Sequence, residues 1–346
     1  MIRVLVADDS ATARALLVGI LSSAPGIVVV GEARDGLEAV TLTQRLKPSL
    51  VTMDLHMPRM DGFAATKEIM VTAPTPIVIA TGSNQAAEVA TAIRALNAGA
   101  LAVLKKPPAP GARGFEEARQ KLVSTVEAMA HVKVVRHWRL PVSPAVAGSA
   151  PSPGAPHRVV RARVVAIATS TGGPAALQGL LSALPGDFSV PILVVQHITR
   201  GFTSGLAAWL NTSCRLRVKI AEDGEPLAPQ TVYVAPDDRH LGVSKSLNVA
   251  LSAAAPVGGF RPSGTFLFES AARAFGPTVV AVILTGMGDD GVAGLRAARQ
   301  GGGRVIAQDE ESCVVFGMPG AAIAAGLVEQ VLPLDKIAPR LVQLCQ

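Results

Sequence analysis

The strongest constraint on this chain is an alternation. Short runs of β-branched and small apolar residues recur along it, each followed by a segment with the 3.6-residue periodicity of a helix. Parallel strands cannot be joined by a tight turn and need a crossover, usually a helix. The pattern therefore predicts parallel sheets covered by helices. In the first half, strands are expected at Arg3–Ala7, Val28–Gly31, Leu50–Asp54, Ile77–Thr81 and Ala100–Lys105, with helices between them. One such helix is Ala11–Ser22, which lines up Leu16, Leu17, Ile20 and Leu21 on one face. In the second half, strands are expected at Val164–Ala168, Ile192–Gln196, Thr231–Ala235, Val279–Leu284 and Arg304–Ala307.

A chain of 346 residues is comfortable as two such domains. Between the halves, HWRLPVSPAVAGSAPSPGAPHR (137–158) is rich in Pro, Ala, Gly and Ser and has no periodicity, as a tether would. The expected organisation is a flavodoxin-like domain over 1–130, a basic linker over 131–160 and a second doubly wound α/β domain over 161–346. The formal net charge of +6 could point to nucleic acid, but its location argues otherwise. Residues 131–163 hold six basic residues and no acid, while the two domains are close to neutral. The excess sits on a solvated tether rather than a folded face, and no nucleic-acid partner is expected. Cys214, Cys313 and Cys345 are odd in number and far apart, without disulfide or zinc spacing. No apolar run reaches the roughly 18 residues of a membrane span, and the N-terminus lacks signal-peptide features. The expectation is a monomeric cytoplasmic protein that does not insert in a membrane.

Chemistry gathers at strand ends. In a doubly wound sheet, functional groups collect outside the carboxyl ends of the strands. In the first domain Asp8 and Asp9 follow strand one, Asp54 ends strand three, Thr81 ends strand four, and Lys106 follows strand five. Three converging carboxylates repel one another unless a hard cation such as Mg²⁺ neutralises them. Adding a hydroxyl and an ammonium makes a site for a phosphoryl group. This constellation, with DLHMPRMDG around Asp54, resembles the receiver domain of two-component response regulators. The resemblance implies that Asp54 is phosphorylated and that Asp8, Asp9, Asp54 and the backbone carbonyl of His56 hold Mg²⁺. It makes Thr81 and Lys106 the switch residues. Lys106 is preferred to Lys105 because it directly precedes the proline.

In the second domain a serine, a histidine and a carboxylate also follow separate strands. VVAIATSTGGP places Ser170 after a buried run, PILVVQH ends in His197, and AVILTGMGDDG leads to Asp289 and Asp290. A nucleophile needs a base, an orienting acid and oxyanion donors, and chain order does not decide whether such a set exists. Glycines at 172, 173, 286 and 288 would let backbone N–H groups approach an oxyanion. STGGP lacks the spacing of a dinucleotide or P-loop site. On position alone, a hydrolytic triad and an ordinary helix-capping serine both remain open.

Over nearly its whole length the chain is similar to chemotaxis protein-glutamate methylesterases of the CheB type. The matching stretches are TSTGGP, VVQHITRGFT, AEDGEPLAPQTVYVAPDDRH, ILTGMGDDG and QDEESCVVFGMP. The resemblance implies hydrolysis of glutamate γ-methyl esters on methyl-accepting chemoreceptors, with methanol released, and deamidation of receptor glutamines as a related acyl transfer. It makes Ser170 the nucleophile, His197 the general base and acid, and Asp290, just before Gly291, the orienting acid. The oxyanion donors would be the Met287 N–H and Thr171, and the esterase chemistry would need no cofactor. A chemotaxis sensor histidine kinase would be the phosphodonor, and the unphosphorylated receiver would cover the esterase cleft. Gly264 and Thr265 stand where a bulkier apolar residue and an aspartate are expected, and Gly320 where a basic residue is common. All three are taken to shape the cleft or the receiver contact, while His240 and Arg261 are either site-lining or structural. The competing classes are a phosphorylation-controlled binding adaptor and an esterase serving a different receptor array.

Overall fold

The structure is a computed structural model, and it describes residues 1–82, 86–132, 134, 161–244 and 246–346. The expected tether at 137–158 lies outside the described residues. The first half runs β1 (Ile2–Ala7), α1 (Ala11–Ser22), β2 (Ile27–Ala33), α2 (Gly36–Leu46), β3 (Leu50–Met53), α3 (Gly62–Thr72), β4 (Ile77–Thr81), α4 (Ala86–Asn97), β5 (Ala102–Lys105) and α5 (Phe115–Met129). Its sheet is fully parallel in the order β2-β1-β3-β4-β5. The central strands β3 and β4 are buried along their whole length, as expected for strands covered on both faces. Helix α1 buries Leu17, Ile20 and Leu21, and the side chain of Ser10 caps its N-terminus.

The second half runs β6 (Val164–Thr169), α6 (Gly173–Ala183), β7 (Ile192–Gln196), α7 (Thr203–Ser213), β8 (Arg217–Ile220) and β9 (Thr231–Val234). A hairpin of β10 (His240–Val243) and β11 (Val249–Ser252) follows. Then come α8 (Gly264–Phe275), β12 (Val279–Ile283), α9 (Val292–Gln300), β13 (Arg304–Gln308), α10 (Met318–Ala324), β14 (Gln330–Leu332) and α11 (Leu334–Cys345). Seven strands form a parallel sheet in the order β14-β13-β12-β6-β7-β9-β8. The five expected strands are all present, with small differences at their ends. Strands β8 and β14 and the hairpin were not expected. The first two are edge strands with half-exposed residues, so they lack the continuous apolar run that marks an interior strand.

This order places a topological switch at the centre of the sheet. The chain leaves β6 toward β7 and later returns on the other side through β12. The loops after β6, β7 and β12 therefore open onto one crevice. The receiver-like half lies against this part of the molecule. Helix α4 packs on α6 and α7, and one apolar cluster runs from Val103 and Ile93 on one side to Leu177, Leu206 and Leu210 on the other. A direct hydrogen bond joins the halves, from Thr199 Oγ1 to the carbonyl of Val103, 2.5 Å. Among the described residues, no helix is long and apolar enough to cross a membrane.

The turn after Asp54 is one of the tightest places in the fold. The N–H of Gly62 donates to Leu55 O, and a Cβ on Gly62 would lie 1.9 Å from Asp54 O. Gly62→Ala should therefore force the loop between Asp54 and Gly62 apart and destabilise the chain by about 1–3 kcal/mol. Equilibrium denaturation measures it, and an unchanged midpoint would contradict the packing described.

Candidate active site

Two polar sites lie at strand ends, one in each half. In the first, Asp8 and Asp54 are buried and Asp9 is exposed. One carboxylate oxygen from each lies within 4.8 Å of the others. Lys106 reaches in from the end of β5, with Nζ 2.8 Å from Asp8 Oδ2 and 2.9 Å from Asp54 Oδ1. Burial pushes the Asp54 carboxyl above its ordinary value, and the nearby Asp8 adds to this while Lys106 opposes it. The same two carboxylates raise Lys106, against the effect of its own burial. Thr81 is buried at the end of β4, and its carbonyl accepts from the N–H of Lys106. His56 is exposed two residues past Asp54. An all-oxygen cluster of this size fits a hard divalent cation.

The second site fills the central crevice. His197 follows β7 and Asp290 lies in the loop after β12, with His197 Nε2 2.8 Å from Asp290 Oδ2. Asp290 is buried, and a bare carboxylate there would be costly. It accepts three further hydrogen bonds, from Ser263 Oγ at 2.7 Å, Gly264 N at 2.6 Å and Thr265 N at 3.1 Å. Burial works against its ionisation, but the His197 contact and these donors prevail and bring the carboxyl down to about 2. An ionised Asp290 has no proton to give, so the bridging proton belongs to Nε2 of the imidazole. Nδ1 is then the basic nitrogen, and it is buried with no hydrogen-bond partner among the described residues. The ring is held flat by Phe260, with centroids 4.2 Å apart and planes inclined by 9°.

Ser170 sits in the turn between β6 and α6, partly exposed, and lines the same cavity as His197. Among the described residues, no hydrogen bond joins its hydroxyl to the histidine. Thr171 and Met287 also line this cavity. Neither of their N–H groups donates a hydrogen bond among the described residues. Gly286 lets the second loop close on the serine, since a Cβ there would come within 2.8 Å of Ser170 Cβ. The cavity holds about 440 Å³ and is walled on one side by the receiver-like half, through Leu101, Val103 and Met129.

The strand-end serine, histidine and aspartate are thus gathered around one crevice, apart from the carboxylate–lysine cluster of the first half. A family profile described as CheB methylesterase matches residues 165–341, and one described as response regulator receiver domain matches 4–112. The chain belongs to the CheB methylesterase family. A protein named protein-glutamate methylesterase/protein-glutamine glutaminase 4, from Myxococcus xanthus, is 55% identical over 98% of this chain and 96% of its own. A similarly named protein from Anaeromyxobacter dehalogenans is 54% identical over 99% and 98%. The crystal structure of the Thermotoga maritima CheB methylesterase catalytic domain covers 54% of this chain and all of its own, with 43% identity and a TM-score of 0.52. Membership makes this chain an ester hydrolase joined to a receiver domain.

The departures from the family pattern now acquire a physical reason. A Cβ on Gly264 would lie 2.7 Å from Ala168 Cβ, so a bulkier side chain has no room there. Thr265 accepts from the N–H of Gly291 at 2.9 Å. Both residues build the cradle of Asp290 rather than the cleft wall or the receiver contact. Gly320 faces the ring of Phe316. His240 is buried against Phe266, with Nε2 3.1 Å from Ala255 O, and is structural. Arg261 lines the cavity and pairs with Asp238 at 2.5 Å. Ser263, Phe260 and Gln196 were not anticipated from sequence as parts of the site. Only Ser263 left a local signal, as the capping residue before α8.

The low value of Asp290 has a consequence for stability. Its folded value of about 2 lies below the ordinary 3.8, so its contribution is present above about pH 4 and disappears as pH falls through 2. The size is on the order of 2 kcal/mol. Between pH 4 and pH 2 the wild type should lose that much more stability than Asp290→Asn, measured by urea denaturation. Parallel curves would contradict the assignment of an ionised, buried Asp290.

Proposed function

We propose that this chain hydrolyses glutamate γ-methyl esters on chemoreceptors when its receiver is phosphorylated, with Ser170 as nucleophile, His197 as base and Asp290 as orienting acid. The observation that carries this reading is the His197–Asp290 pair. It leaves Nδ1 as an unpartnered base in the cavity that Ser170 lines. In the reaction Nδ1 takes the Ser170 proton as Oγ bonds to the ester carbon. The carbonyl electrons move onto oxygen, and the N–H groups of Thr171 and Met287 donate hydrogen bonds to the oxyanion. The C–O bond to methoxide then breaks, His197 returns the proton, and methanol leaves an acyl-serine. Water, activated by the same nitrogen, releases the glutamate carboxylate and restores Ser170. Glutamine deamidation follows the same path with ammonia as the leaving group. One oxyanion donor is typically worth about 10²–10³-fold in rate and general base catalysis about 10²–10⁴-fold.

In the receiver, Asp54 would take the phosphoryl group from a chemotaxis sensor histidine kinase, an Asp54 oxygen replacing nitrogen at phosphorus. Asp8, Asp9, Asp54 and the carbonyl of His56 would hold Mg²⁺, which neutralises phosphoryl charge when bound. Lys106 would then leave its two carboxylates for the phosphoryl oxygens, and Thr81 would add its hydroxyl. The gate is the receiver wall over the cavity. Reversing a 99:1 closed population needs a bias of about 5.5 kcal/mol. In this reading residues 1–130 regulate, 131–160 tether and 161–346 catalyse, as a monomer in the cytoplasm.

Methanol release from methylated chemoreceptor membranes tests both halves. It should rise on adding a small phosphodonor and Mg²⁺, vanish in Ser170→Ala, and lose its response to the phosphodonor in Asp54→Asn. Full activity in Ser170→Ala would remove the nucleophile assignment, and no release by the wild type on any receptor would favour a binding adaptor. The Thr199–Val103 hydrogen bond joins the histidine loop to the switch strand. Thr199→Ala should therefore raise unphosphorylated activity a few-fold while leaving the phosphorylated rate unchanged, in the same assay.

A further inference from the structure

The two free N–H groups in the cavity are held from behind. In a trans peptide the C=O and N–H point in opposite directions within one plane, so whatever anchors the oxygen also aims the hydrogen. The Thr171 N–H shares its peptide with the carbonyl of Ser170. That oxygen accepts from Gln196 Nε2 at 2.7 Å and from the N–H of Gly173 at 2.9 Å. The Met287 N–H shares its peptide with the carbonyl of Gly286. That oxygen accepts from the N–H groups of Gly317 and Met318 at 3.0 and 2.9 Å. Each cavity donor is therefore the far end of a doubly anchored peptide.

The two anchors differ in one respect. The Gly286 carbonyl is held entirely by backbone donors, from the start of α10, whereas the Ser170 carbonyl takes one of its two hydrogen bonds from a side chain. Gln196 is 3% exposed and lies in the last position of β7, next to the histidine. Its Nε2 also donates to the carbonyl of His197 at 2.8 Å. Both neighbours are carbonyls, so the amide nitrogen must face them. The other end of the amide gains nothing: Oε1 is buried without a hydrogen-bond partner among the described residues. It fills the space above Gly173, where a Cβ would meet it at 2.0 Å. A buried acceptor left unsatisfied is unfavourable for the fold, so the residue is explained by its donor end.

We infer that Gln196 is a positioning residue for the oxyanion hole: it fixes the Ser170–Thr171 peptide so that the Thr171 N–H points at the developing oxyanion. By holding the His197 carbonyl as well, it ties the backbone of the base to that of the nucleophile. The inference rests on the reading of Ser170 as nucleophile. Its effect belongs to the transition state, because the donor is aimed at charge that the bound ester does not yet carry.

The test uses the full chain with acetyl phosphate and Mg²⁺ on methylated chemoreceptor membranes. Gln196→Met keeps the length and removes the donor, and Gln196→Glu puts an acceptor against two carbonyls. In both, kcat for methanol release should fall about 10- to 100-fold with KM within about twofold of wild type. The affinity for butylboronic acid, whose adduct on Ser170 is tetrahedral, should fall by the same factor as kcat/KM. A kcat within twofold of wild type would overturn the inference. So would a loss carried by KM, or an unchanged boronate affinity. If neither variant folds, the wild type decides by amide NMR. On adding butylboronic acid the Thr171 and Met287 amide protons should move downfield together, and an unmoved Thr171 would overturn the inference. Activity surviving in Ser170→Ala would defeat the parent reading instead. An inactive Ser170→Ala beside fully active Gln196 variants would defeat this inference alone.

Discussion

The functional architecture depends on one buried ion-pair-like contact, His197 Nε2 to Asp290 at 2.8 Å. A carboxylate that is 6% exposed is tolerable only if its oxygens are filled with donors. The chain supplies them from the histidine after β7 and from the first residues of α8. Satisfying Asp290 thus fixes three segments at once: the loop after β12, the start of α8 and the end of β7. The same requirement decides the chemistry. Once the carboxylate accepts the hydrogen bond from Nε2–H, Nδ1 is the ring nitrogen with a free lone pair, and the stacked ring of Phe260 limits how the imidazole can turn.

The receiver reaches this site through a short physical path. Strand β5 ends beside Lys106, whose ammonium sits between Asp8 and Asp54. Three residues earlier, the carbonyl of Val103 accepts a hydrogen bond from the hydroxyl of Thr199, two residues past His197. One strand therefore touches both the carboxylate–lysine cluster and the histidine loop. Any change in how Lys106 is held bears on an element that also walls the cavity. The two carboxylates and one ammonium form a set whose balance shifts when a phosphoryl group adds charge, and burial makes the shift larger than it would be in water.

Much of this was legible in the sequence because it depends on local pattern. Continuous apolar runs marked the interior strands, and strand-end polar residues marked the two sites. Ser170, His197 and Asp290 converge because a doubly wound sheet has only one central crevice. The cradle of Asp290 was not legible. Gly264 and Thr265 looked like departures bearing on the cleft, and only the packed structure reveals that Gly264 has no room beside Ala168. Edge strands β8 and β14 escaped notice because half-exposed strands mix polar and apolar residues without a long run. Gln196 escaped for a different reason. Its partners are backbone carbonyls, which carry no residue identity for a sequence to display.

The proposed chemistry rests on Nδ1 of His197 as the base. Its protonation can be measured by nitrogen NMR of ¹⁵N-histidine-labelled full chain at a pH where His197 is neutral. Nε2 should carry the proton, hydrogen-bonded to Asp290, and Nδ1 should be pyridine-type and unprotonated. A protonated Nδ1 with an unprotonated Nε2 would contradict this chemistry, because the nitrogen available to Ser170 would then have no lone pair to accept the hydroxyl proton.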